Sequence, residues 1–240
     1  MHFHFPKPLH GWRALVGEVG IIVIGVLIAL GAEQVVETWH WHEKERAAEA
    51  SLDFEVNVQL DSAEEAVALN RCAAPFLNAL EMAIVRHDSA AIETLYGAKP
   101  PFELRSWRST AWQSVMSTQV ADHMDAVAMA QYGFLYSGTE DIRELQKSMV
   151  ADLGQATMGR LRGDGDIGST PLQLAAAERL RGELDEVKGI SAGMLLVAHG
   201  GVHAGWKPIH RVRAPHLDSA IKSELQSCEA AANPARGKVS

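Results

Sequence analysis

The chain has 240 residues, 47% of them hydrophobic and 22% charged, and carries a formal net charge of −8. That length supports one domain with a sizeable core and leaves little room for a second. The acidic balance lacks the basic footprint that a phosphate backbone demands, so nucleic acid is not an expected partner. Residues 1–13 hold Lys7 and Arg13 with no acid, residues 14–32 hold only Glu18, and the remainder holds 20 basic and 29 acidic residues.

In chain order, a short tail over 1–13 leads into the first predicted element, a transmembrane helix over 14–32 (ALVGEVGIIVIGVLIALGA). Nineteen residues at about 1.5 Å each cover about 28 Å, close to the thickness of a hydrocarbon core. Trp12 and Arg13 stand on one flank, Trp39 and Trp41 on the other. About 40 Å of helix separates Trp12 from Trp39, the spacing of the two headgroup belts, so these four residues are read as interfacial anchors. A cleaved signal peptide is the competing reading, because a basic start, an apolar run and small residues such as Ala29 and Gly31 are all present. Against it stand the lack of a clean A-x-A site and the continuation of a helical pattern beyond Ala32. Lys/Arg counts tie across the span, but Arg13 abuts it and Lys44 does not, which places the N-terminus in the cytoplasm and the bulk of the chain outside. Glu18 is the one charge in the run. Its readings are an interfacial role or a buried contact with a partner helix, with Gly17, Gly25 and Ala29 offering small residues for close helix approach.

The residues Gly17-Glu18-Val19, then Ile21-Ile22-Val23-Ile24-Gly25-Val26-Leu27-Ile28-Ala29-Leu30, followed by an acidic, Trp-containing helix, carry a resemblance. This pattern resembles an uncharacterised family of bacterial single-pass membrane proteins, a domain of unknown function, with an anchor of the form G-E-(I/V)…I-G-(I/V)-L-I-A-L. The resemblance is looser over Thr110–Val115 and Tyr132–Leu145. It implies an inner-membrane anchor, a helical periplasmic domain and no established chemistry.

After the span, residues 33–72 are predicted as an amphipathic stalk helix, since Leu52, Val56, Leu60, Ala63 and Val67 recur at three- and four-residue spacings and the pattern ends near Cys72. Residues 73–240 follow as a helical domain with a loop-rich C-terminal segment. Its candidate helices run over 75–86, 89–96, 109–119, 121–136, 139–161 and 171–199, with loops over 99–109 and 162–169. For the last helix, Thr170, Pro171 and Gln173 form a capping-box pattern. No strand alternation or repeat is visible, so the fold class is all-α. Cys72 and Cys228 are the only cysteines, and in an oxidising space they form a candidate disulfide; two buried thiols are the alternative.

Candidate chemistry is sparse. Gly189-Ile190-Ser191-Ala192-Gly193 spells the nucleophile elbow of serine hydrolases, but a charged helical pattern precedes it where a strand is needed. His199, His203 and His210 are the best-placed of eleven histidines for a metal, yet two glycines between the first pair undermine the helix that would align them. Asp164-Gly165-Asp166 resembles the start of a calcium loop whose bidentate Glu position is Ala175. The expected protein is a membrane-anchored, non-enzymatic interaction protein without a cofactor. It would be an accessory subunit or a homo-oligomer, partnered by the bilayer and by a membrane protein or itself. A periplasmic sensory domain that binds a ligand or metal is the alternative, and a serine hydrolase the second.

Overall fold

In a computed structural model, residues 12–97, 105–158 and 170–232 are described, apart from the side chains of 13, 14 and 227–232. Six α-helices and one 3-10 turn account for the regular structure of the described residues, which contain no strand. These are α1 (Trp12–Val85), α2 (Ser89–Gly97), α3 (Thr110–Met116), the 3-10 turn Gln119–Asp122, α4 (Ala126–Ala156), α5 (Thr170–Ala198) and α6 (Leu217–Ala232). The all-α expectation is met. The chain divides into two units, residues 1–48 and 49–240.

In the second unit the predicted stripe on α1 forms one wall of the core: Leu52, Val56, Leu60 and Ala63 are fully buried. Val67 is only half-buried, and the buried line passes instead through Leu69, Cys72, Leu77, Leu80 and Ile84. The expected helix end near Cys72 is therefore corrected: Pro75 lies inside α1, which runs on to Val85. Pro75 and Arg71, the residue whose carbonyl loses its donor, are both exposed, while Cys72, Ala73, Phe76 and Leu77 are buried. A proline costs a helix least on its wet face, and burial of the flanking residues holds the chain helical through it. Beyond Val85, His87 has φ of 54°, with its N–H on Ile84 O and that of Asp88 on Ala83 O. This is a Schellman turn with histidine in the left-handed position usually given to glycine. Asp88 Oδ1 then accepts the Ala91 N–H at 2.9 Å and opens α2.

The other walls are α4 and α5. Asp53 meets Tyr132 and Glu55 meets Tyr136, so α4 climbs beside α1 in the same direction. Asn70 meets Asp185 and Glu81 meets Arg181, so α5 descends. The two helices expected over 121–136 and 139–161 are one, α4, which passes straight through Gly138. A Cβ there would lie 3.1 Å from Met194 Cγ and Sδ and 3.2 Å from Ile190. That glycine is a notch for α5, not a break. The capping box at Thr170 does not form: its hydroxyl is buried without a hydrogen-bond partner among the described residues, and Gln173 Nε2 points to Ala156 O at 3.5 Å.

Glu55 ties three elements together. It accepts the Thr110 and Ala111 N–H groups at 3.0 and 2.8 Å, so it caps α3 from another helix, and it accepts the Tyr136 hydroxyl at 2.9 Å. Tyr136 is 1% exposed and stacks on Trp112 at 5.3 Å between ring centroids. Burial, reinforced by the adjacent carboxylate, holds its hydroxyl protonated well above the ordinary tyrosine range. Glu55→Ala removes a cap and strands a buried hydroxyl, an expected loss of about 2–4 kcal/mol. Thermal unfolding followed by circular dichroism should show a Tm lower by about 4–16 °C, with Glu55→Gln recovering part of it.

Glu183 on α5 gives a second, opposite prediction. Burial, followed by Asp152 and Glu186 nearby, pushes its carboxyl above the usual range, and Oε2 has no hydrogen-bond partner among the described residues. A carboxyl that holds its proton more tightly when folded stabilises at low pH, and that stability is lost as pH rises through the folded value. Glu183→Gln should therefore raise the Tm at pH 7, and the gain should shrink as the pH falls towards the ordinary carboxylate range, where the wild-type carboxyl takes up its proton. Melting curves across that range check it.

Candidate functional site: an uncovered apolar helix and a histidine-bearing strap

Within the first unit α1 presents apolar side chains that stay exposed among the described residues. Thirteen large aliphatic residues lie between Leu15 and Val36, each about half exposed or more, Ile21 reaching 74%. It is the one helix among the described residues long and apolar enough to cross a membrane, and none of its most apolar window is buried. That last fact separates it from a core helix. At about 1.5–3 kcal/mol for each side chain left in water, the penalty is of the order of 20–40 kcal/mol, more than a whole domain's stability. The backbone, by contrast, is satisfied within the helix, as a hydrocarbon environment requires.

The flanks differ from one another. Trp12 and Trp39 are 73% and 68% exposed, whereas Trp41 is half-buried, with Lys44 Nζ 4.5 Å from its ring centroid and His40 tilted against it. Arg13 lies in α1, but its side chain is outside the described residues, as is the tail with Lys7. Glu18 and Ala29 are exposed, and a Cβ added at Gly17, Gly20, Gly25 or Gly31 would meet no atom within 4 Å. Among the described residues, then, nothing packs on the small-residue face.

The histidines sit on a strap across the second unit. Gly200 has φ of 76° and, with Gly200 N–H on Val197 O and Gly201 N–H on Leu196 O, ends α5 in a Schellman turn. A Cβ on Gly200 would also come 3.0 Å from Trp206 O, so only glycine fits. His199 is the first residue past the end of α5, and the turn carries His203 away from the helix line, which removes the i, i+4 alignment a helical metal pair needs. His199 Nδ1 bonds to Leu195 O at 2.6 Å, His203 lies edge-on to Trp206 at 4.6 Å, and the His210 carbonyl accepts from Asn57 at 3.0 Å. Among the described residues no group of three or more ligand-type side chains is placed to hold a metal.

From Lys207 to Ala214 the strap is clamped to α1 and α4 by groups the sequence did not single out. Asn57, 7% exposed, donates to His210 O and accepts the Val212 N–H at 2.8 Å. Gln131, 5% exposed, donates to Val197 O and Lys207 O. Arg211 reaches Asp61 at 3.0 Å and Glu64 at 2.8 Å. Amides at positions 57 and 131, on otherwise apolar stripes, were the available signal. His210 also borders an open cavity of about 350 Å³ with Glu49, Asp53, Asp125 and Lys207. Two of those carboxylates already serve the fold: Asp53 accepts the Tyr132 hydroxyl at 2.6 Å, and Asp125 caps α4 through the Ala128 N–H at 2.8 Å.

Ser191 lies in the middle of α5 and is fully buried, with its hydroxyl unpartnered among the described residues. An elbow needs an exposed serine at a strand-to-helix turn, so this Gly-x-Ser-x-Gly is a helical coincidence. The calcium-loop resemblance at Asp164 falls outside the described residues. Cys72 is buried and disulfide-bonded; the side chain of Cys228 is outside the described residues. Compared with known proteins, the chain matches no family model, no characterised protein and no solved structure.

Proposed function

We propose that this chain is a membrane-anchored, non-enzymatic interaction protein of the bacterial inner membrane. In this reading the helix over 14–32 spans the bilayer, the N-terminus is cytoplasmic, and the unit over 49–240 works in the periplasm as an accessory subunit or homo-oligomer. The observation that carries it is the uncovered apolar run from Leu15 to Val36, for which lipid is the matching solvent. The disulfide at Cys72 supports an oxidising compartment for the second unit, and Arg13 beside the span supports the orientation. Kinship with the single-pass bacterial family whose anchor this one resembles belongs to the same proposal.

The test is purification of the full chain from membranes in mild detergent, with mass spectrometry of co-purifying proteins, native mass and elemental analysis. A stoichiometric membrane partner or a defined homo-oligomer is expected. A partner-free monomer carrying bound metal would overturn this reading in favour of a sensory or metal-binding domain.

A further inference from the structure

An open cavity of about 680 Å³ lies where Phe54, Val58 and Gln59 of α1 face Arg108 and the α3 residues Ala111 and Ser114. Two polar groups in its lining lack the partners that the fold supplies elsewhere. Gln59 is 2% exposed; its Nε2 donates to the Arg108 carbonyl, while its Oε1 is buried with no hydrogen-bond partner among the described residues. A buried amide oxygen left unpaired is costly, and an N–H or O–H brought to the cavity would remove that cost. Arg108 is the second group. Of the three charged residues in the lining, Glu55 is occupied by two backbone N–H groups and the Tyr136 hydroxyl, and Arg105 makes a two-pronged pair with Glu65, whereas Arg108 has no ion-pair partner among the described residues. Beside them Phe54, 75% exposed, and Val58, 50% exposed, form an apolar wall one helical turn apart.

An unpaired guanidinium calls for an anion, an unpaired amide oxygen for a donor, and an exposed ring for an apolar body. One small chemical unit carries all three on a single Cα: the terminal residue of an acylated amino acid or peptide, with its carboxylate, its N–H and its side chain. We propose that the cavity binds this unit, with the carboxylate on the Arg108 guanidinium, the N–H donated to Gln59 Oε1 and an apolar side chain against Phe54 and Val58. A guanidinium holds a carboxylate through parallel N–H donors, which fixes orientation as well as affinity. Gln59, bonded to the Arg108 backbone, stands next to that anchor point. The inference adds a ligand site to the interaction-protein reading, and it rests neither on the membrane anchor nor on self-association.

The test is isothermal titration of the full chain in mild detergent, against a detergent blank, with N-acetyl-L-phenylalanine, which carries all three features. Saturable one-to-one binding is expected. Arg108→Gln should weaken it about ten- to a hundredfold, and so should a probe whose carboxylate is replaced by a carboxamide, because each change removes the charge-assisted contact. N-methylation of the probe, which removes only the donor, should weaken binding about three- to tenfold. Arg108 is exposed, so the variant should keep its helicity and Tm, and Arg86→Gln, beyond the end of α1, should bind as wild type does. A tripeptide ending in phenylalanine separates the two sources of this chemistry: binding at least as tight assigns the site to a peptide C-terminus, and exclusion assigns it to a free acylated amino acid, the proposal standing in either case. Absence of saturable binding, equal affinity for the carboxamide, or binding indifferent to Arg108→Gln would each overturn it. A chain found in the soluble fraction would defeat the anchor reading and leave these titrations to decide the cavity.

Discussion

Val23→Arg combined with Val26→Arg abolishes retention of the chain in the membrane fraction. The apolar run of α1 holds eleven large aliphatic residues between Leu15 and Leu30, all exposed among the described residues. With two of them replaced, the nine that remain favour insertion by about 0.3–0.6 kcal/mol each, or about 3–5 kcal/mol together. Two arginines at the middle of the helix oppose it by about 2.5–3.5 kcal/mol each, about 5–7 kcal/mol, so the balance reverses. Both positions are exposed and far along the chain from the packed core, so the second unit should keep its helical spectrum and Tm. Fractionation followed by immunoblotting reads the first outcome, and circular dichroism the second. A double variant that stays in the membrane pellet would show that something other than this helix holds the protein there.

Reduction of the disulfide at Cys72 is the second large effect. The thiol position is 3% exposed on the core face of α1. Non-reducing peptide mapping is expected to join Cys72 to Cys228, the other cysteine of the chain, which closes a loop of more than 150 residues. In the chain-entropy account such a loop is worth about 4–5 kcal/mol, because the cross-link restricts the unfolded chain far more than the folded one. It would also anchor α6 to a helix whose bonded cysteine lies more than 150 residues earlier in the sequence. Reductant, or Cys72→Ser, should lower the Tm by about 8–20 °C. An unchanged Tm together with two free thiols in the untreated protein would contradict it. The same bond bears on location, since a domain held in a reducing cytoplasm would lose it.

What was legible in the sequence was what one helix face dictates alone. The stripe through Leu52, Val56, Leu60 and Ala63 follows from periodicity, Pro171 marks the start of α5 as a first-turn proline should, and the Gly200-Gly201 pair was legible as residues that undermine a helix. Failures arose where tertiary packing overrode a local signal. Pro75 marks a helix end by local rules, but its exposed position lets the buried residues on either side keep α1 continuous. Gly138 marks a break, yet it is the point where Met194 and Ile190 press against α4. Thr170 and Gln173 spell a capping box, but Gln173 finds a nearer acceptor at the end of α4. Helix α6 was missed because the residues before it, from Gly200 to Pro215, have no periodicity; they are ordered by Asn57, Gln131 and the Arg211 carboxylate pair, all remote in sequence. The placement of α3 beside α1 could not be foreseen either, since the Glu55 cap that holds it there is a contact across 55 residues.

A helix over 14–32 that anchors the chain must be both retained in the mature protein and embedded in a membrane. The most direct test is alkaline carbonate extraction of membranes from cells that express the full chain, followed by intact-mass measurement of the protein in each fraction. The account predicts the chain in the carbonate-resistant pellet at a mass that includes residues 14–32. A soluble product beginning near Glu33 would show instead that the apolar helix is a cleaved export signal, and would contradict the account.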